Sequence, residues 1–187
     1  MPIPLSTQES DIRSSAYLIF SDQILIKRER GLFMRYKTIA IPADIAEQTR
    51  SSLKSPQYGH PADVKKATGY GPCRSCLRRF DEGREERIMF TFDPFADKHT
   101  LPCPGPIFIH REPCVRYDEE SFPESLRTLP LTLEGMRTDG LPLTRQPVTS
   151  SNLDEAVTRI FAEPGIEYIH VRNSEAGCFI ARLERLG

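Results

Sequence analysis

Five thiols and four imidazoles are the side chains of this sequence best suited to metal binding or nucleophilic chemistry. Cys73 and Cys76 form a C-x-x-C, a spacing that lets two thiolates chelate one ion. A ribbon-type zinc site wants a second C-x-x-C, and the sequence has none. The remaining ligands would come from Cys103 and His99, with Cys114 and His110 as the other available donors. The spacings His99-x3-Cys103 and His110-x3-Cys114 leave both sets open. Against His110 stands its place on a strand beside Phe108, where a core histidine is common. One reading is therefore a zinc-stabilised interaction module using Cys73 and Cys76. The same pair would suit a redox dithiol at the start of a helix, with Arg74, Arg78 and Arg79 favouring a thiolate, but the βαβ setting of such motifs is missing.

Arginine gives the second clue. The sequence has 19 arginines against 6 lysines, and the planar guanidinium suits bidentate recognition of carboxylate or phosphate. Arg74, Arg111, Arg172 and Arg182 fall within the strongest motifs. The preferred expectation is a domain that binds a small polar or anionic metabolite, with Arg74 and Arg172 holding the anion. Cys73, His110, His170, Asn173 and Cys178 are expected near it. On this reading Arg74→Ala would abolish ligand binding and leave the melting point almost unchanged. Cys178 and His170 form a thiol–imidazole pair only at the limit of reach across a hairpin. A third reading is structural, with these residues tying loops together. No P-loop, G-x-G-x-x-G, G-x-S-x-G or H-E-x-x-H occurs.

Composition narrows the setting. A chain of 187 residues, 39% apolar and 27% charged, can build one domain with a solvated surface. A formal charge of -1 removes bulk attraction to nucleic acid or anionic membrane. No apolar run approaches the roughly 18 residues of a spanning helix. The odd thiol count and the absence of a signal-peptide pattern argue for reduced cysteines in the cytoplasm.

The elements that must position these groups follow from periodicity. Residues 1–33 read as an extension with two short apolar runs, 16–20 and 24–26, and residues 34–187 as a single α+β domain. Alternation predicts strands over 36–41, 87–93 and 106–112. Helices are expected over about 42–54 and 152–163, the second opened by Asn152 and Glu155 in capping-box spacing. Residues 55–72 read as a long loop, and 117–150 as turn-rich and weakly patterned. The C-terminus predicts a β-hairpin, 166–172 against 178–183 around a five-residue loop. In the simplest register Arg172 faces Cys178, Val171 faces Phe179 and His170 faces Ile180. The whole is a mainly antiparallel sheet with two helices.

Three separated motifs carry a family resemblance: Gly71-Pro72-Cys73-Arg74-Ser75-Cys76-Leu77, Gly105-Pro106-Ile107-Phe108-Ile109-His110, and Tyr168 to Asn173 continuing through Gly177-Cys178-Phe179 to Arg182. From about Met34 onward the chain resembles the uncharacterised family catalogued as domain of unknown function 1203. The resemblance implies a shared architecture with a site at Cys73, Arg74 and Leu77, at Gly105 to Phe108, and at His170, Asn173, Gly177 and Cys178. It implies no activity, substrate or cofactor. It treats the second thiol, Cys76, as optional and leaves Cys103 and Cys114 as incidental.

Overall fold

The structure is a computed structural model and describes residues 34–186, apart from Tyr70, His99, Leu101 and Pro102. The expected extension over 1–33 and the candidate ligand His99 lie outside the described residues. Among the described residues, eight strands form two antiparallel sheets, accompanied by two α-helices. They are β1 (Tyr36–Ile39), α1 (Ala43–Ser52), β2 (Asp63–Lys66), β3 (Glu86–Phe92), β4 (Gly105–His110), β5 (Leu131–Met136), β6 (Pro142–Val148), α2 (Leu153–Ala162), β7 (Tyr168–Asn173) and β8 (Phe179–Arg185). The larger sheet runs β1-β8-β7-β5-β6 and the smaller β2-β3-β4. The fold is a mostly sheet α+β domain with a C-terminal hairpin.

Each sheet has its own apolar layer. α2 lays Leu153, Ala156, Val157, Ile160 and Phe161 on the larger sheet, against Leu131, Leu133, Ile169, Val171, Ala181 and Leu183. This is the face expected from the 3.6-residue period. Its start differs, because Asn152 makes no side-chain cap to the helix. Instead Asn152 Oδ1 accepts from the Thr149 amide in the preceding turn. The smaller sheet buries Ile88, Phe90 and Phe92 of β3 with Ile107 and Ile109 of β4. That alternation also matches expectation. Three strands do not: β2 lies within the expected loop, and β5 and β6 lie within the expected turn-rich segment.

The hairpin register is the consequential difference. Val171 pairs with Ala181 and Arg172 with Phe179, so a bulge skips Ile180. A bulge inserts one residue and changes which face its neighbours occupy. With Arg172 already one residue off its expected partner Cys178, the bulge adds a second shift and His170 stands opposite Arg182, not Ile180. Phe179 turns away from the α2 layer and joins the core of the smaller sheet. It packs against Phe92 at a ring-centroid distance of 5.8 Å and against His170 at 5.1 Å. One aromatic residue thus links the two sheets.

Candidate metal centre

Gly71 to Arg79 forms a tight loop beside β4. The Cys73 amide donates to the Arg78 carbonyl, the Leu77 amide to the Cys73 carbonyl, and the Arg74 amide to the Phe108 carbonyl of β4. Leu77 adopts φ 56°, a left-handed conformation that side chains seldom tolerate. It holds the loop closed just after Cys76. The loop therefore turns the Cys73 and Cys76 sulfurs inward, to the end of β4 where His110 lies. Four residues further on, Cys114 brings the chain back to the same point.

Cys73, Cys76, His110 and Cys114 place their ligand atoms within 4.8 Å of one another. Cys73 Sγ lies 3.9 Å from Cys114 Sγ, and Cys76 Sγ lies 3.4 Å from His110 Nδ1. A tetrahedral zinc ion, with Zn–S of about 2.3 Å and Zn–N of about 2.0 Å, needs S···S edges of about 3.8 Å and S···N edges of about 3.5 Å. The cluster has the dimensions of such a cage, and its four donors could hold a metal ion. The surroundings also suit one. His110 Nε2 lies 3.1 Å from Glu85 Oε2, which orients the ring so that Nδ1 faces the sulfurs. The His110 amide donates to Cys73 Sγ at 3.3 Å, and Arg50 Nη2 to Cys114 Sγ at 3.3 Å. A depression of about 330 Å³, lined by Arg78, Arg84, Glu85, His110 and Cys114, connects the cluster to solvent.

Without metal these groups share protons unequally. Burial, with hydrogen bonds to Cys114 and Cys76, pushes the Cys73 thiol far up. Hydrogen bonds from Cys73 and Cys76, aided by His110 and Arg50, hold Cys114 far down. Burial opposes the charged form of His110, but the Cys114 and Cys76 sulfurs and the Glu85 carboxylate outweigh it and raise the ring to about 10.

Other candidate residues have different surroundings. Cys103 is exposed and stands outside the cluster, and its amide donates to Asp93 Oδ1. His110 and Cys114, rather than Cys103, complete the set with the C-x-x-C. The His110-x3-Cys114 spacing was the available signal, and nothing in the sequence pointed to Glu85 or Arg50. Arg74 points the opposite way from its cysteine neighbours and is 1% exposed. Its Nε donates to the Phe179 carbonyl at 2.8 Å, Nη1 to the Pro72 carbonyl at 2.5 Å and Nη2 to Cys178 Sγ at 3.0 Å. All three guanidinium nitrogens are thus bonded to protein groups, and the side chain is buried. Its removal would not leave the melting point unchanged. Arg172 is likewise engaged, by the buried Glu134 carboxylate at 2.6 Å and the Gly177 carbonyl. Asn173 Oδ1 accepts from the Glu175 and Ala176 amides and closes the hairpin loop. His170 is buried apart from the cysteine cluster, among Phe95, Tyr168 and Phe179.

Fold and site together define a class: a two-sheet antiparallel α+β domain with a Cys3His cluster. The family described as protein of unknown function (DUF1203) matches residues 70–185, and the chain belongs to it. The match begins at the Cys73 loop, so β1, α1 and β2 precede it. No curated protein and no solved structure matches the chain. No described helix is long and apolar enough to cross a membrane.

Proposed function

We propose that the chain is a zinc-stabilised domain in which Cys73, Cys76, His110 and Cys114 hold one structural zinc ion. The observation that carries this reading is the convergence of four ligand atoms within 4.8 Å. Three sulfurs and an imidazole form a soft donor set that suits zinc better than magnesium or calcium. Four protein ligands fill a tetrahedral shell and leave no open position for a substrate, which is the pattern of structural sites. Reduced thiols fit a cytoplasmic setting.

The metal would act as a staple between the sheets. Its ligands fix the Cys73–Cys76 loop on β4, and the same loop sends Arg74 into the start of β8. The Ile41 amide donates to the Arg74 carbonyl and the Tyr117 amide to the Ser75 carbonyl, so β1's end and the segment after Cys114 hang on the same loop. Structural zinc in small modules supplies about 10–16 kcal/mol of folding free energy.

The test is metal analysis of the full chain purified from zinc-replete culture, with cobalt substitution. One zinc per chain and a cobalt spectrum with thiolate charge transfer are expected, and both should be lost in the double variant Cys76→Ser, Cys114→Ser. Absence of stoichiometric zinc together with absence of a cobalt–thiolate spectrum would refute the reading. So would full metal retention by the double variant.

A further inference from the structure

A second feature lies away from the cysteines and is independent of the metal reading. Between the sheets, at the N-terminus of α1, is a cleft of about 480 Å³, within the size range of small-molecule sites. Its apolar walls include Ile41, Ile45, Phe92 and Phe179, and its polar groups include Arg116, His170 and Arg182.

Two of these polar groups lack partners that their burial demands. His170 is 1% exposed, and its Nδ1 is buried with no hydrogen-bond partner. Arg182 Nε is also buried and unpartnered, although Nη2 pairs with Glu184 at 2.6 Å. The observed pairing sets His170 directly opposite Arg182, so both orphaned atoms belong to one register position of the hairpin. An unsatisfied buried polar atom costs about 1–3 kcal/mol, and natural structures carry few. Two of them lie on adjacent strands, both on residues lining one cleft, and offer a polar anchor to a bound molecule.

The charge of that molecule follows from what is already neutralised. Asp93 Oδ1 accepts from the Phe95 and Cys103 amides, and its Oδ2 from the Tyr58 hydroxyl. Asp97 is paired with Lys98. Arg116 donates Nε and Nη2 to the Ile41 and Ala40 carbonyls, which bring no negative charge. The first turn of α1 has no side-chain cap at Pro42, so its free amides add positive potential at the mouth. Asp44, exposed in that turn, is the acid left without a named partner among the described cleft residues. Two guanidinium groups and a helix N-terminus thus face a space walled by aromatic and aliphatic side chains.

We propose that this cleft binds a small organic carboxylate with an apolar body, its carboxylate meeting Arg182 Nε and His170 Nδ1 and its body lying against Phe92 and Phe179. His170 serves as a neutral hydrogen-bonding group, since burial, then the charges of Arg172, Arg182 and Lys98, push its pKa down to about 3. Arg182 already shares its charge with Glu184 through Nη2, so the anion's charge is met by the Nε–H of Arg182 together with Arg116.

The probe is benzoate, with benzyl alcohol as the uncharged control, titrated into the full chain carrying ¹⁵N-labelled histidine. Benzoate should shift the His170 ring-nitrogen resonances saturably in the millimolar range, and benzyl alcohol should not. Arg182→Gln, a partly exposed position, should weaken benzoate by about tenfold, the loss of one charge-assisted pair. Asp44→Asn should tighten it. Absence of a saturable shift would overturn the proposal, as would an equal response to benzyl alcohol or unchanged affinity in both variants. A response to inorganic phosphate without one to benzoate would overturn the carboxylate assignment.

Discussion

Arg74→Met tests how the cysteine loop is tied to the hairpin. Methionine keeps much of the length and apolar volume of the stem but removes every donor. The Phe179 and Pro72 carbonyls then lose the bonds recorded at 2.8 and 2.5 Å. Each buried carbonyl left unpaired costs about 1–3 kcal/mol, and Cys178 Sγ loses a weaker contact. Relief from burying a guanidinium without a carboxylate partner returns part of this. A net loss of about 3 kcal/mol is expected, which for a domain of this size lowers Tm by about 6–12 °C. Calorimetry in excess zinc keeps metal content from confounding the comparison. Arg74→Lys should recover less than half of the loss, because one ammonium cannot span three divergent acceptors. A Tm within about 2 °C of the parent would refute the reasoning. It would mean that water satisfies those carbonyls and that the loop is held by other bonds.

Further expectations concern the cluster and the core. Zinc must displace protons from Cys73, which is raised, and from His110, raised to about 10. Apparent affinity should therefore fall by at least about 100-fold for each pH unit below 7, and a pH-independent result in chelator competition would contradict this proton inventory. Glu85→Gln should weaken zinc by about tenfold in the same assay, through loss of the ring's carboxylate partner. Gly135→Ala should destabilise the domain by about 1–3 kcal/mol in denaturant unfolding. A Cβ there would come within 2.7 Å of Thr144 Cγ2 and 2.8 Å of Ile160 Cγ2, and nearer still to Ile166 Cδ1.

The parts of the fold legible in the sequence are those where burial follows a simple period. Ile88, Phe90 and Phe92 alternate cleanly, and Leu153, Val157, Ile160 and Phe161 recur at helical spacing, so β3 and α2 stand out. β5 hides because it buries Glu134 in mid-strand, with Arg172 and Arg145 as partners on other strands. β6 hides because Pro142 and Pro147 read as breakers in any central strand. The hairpin itself was legible, but its register was not. No local signal announces a bulge at Ile180 or the pairing of Arg172 with Phe179, and together they decide which residue faces His170. The metal candidate was half legible. The C-x-x-C is local, whereas the choice among Cys103, Cys114, His99 and His110 depends on where β4 ends. The protein partners of Arg74 and Arg172 were illegible for a related reason. Composition counts guanidinium groups and cannot tell which ones protein carbonyls and a buried carboxylate already occupy.

The prolines of β6 also bear on how copies of this domain meet. Proline is tolerated in a strand where its missing N–H would face outward, and β6 is the outer strand of the larger sheet. At the opposite margin, the Thr38 amide of β1 donates to the Glu119 carbonyl, so the returning chain already sits along that side. Both margins are thus poor templates for an incoming strand. The larger sheet is built to stop at five, and crowded copies have little means of extending it edge to edge.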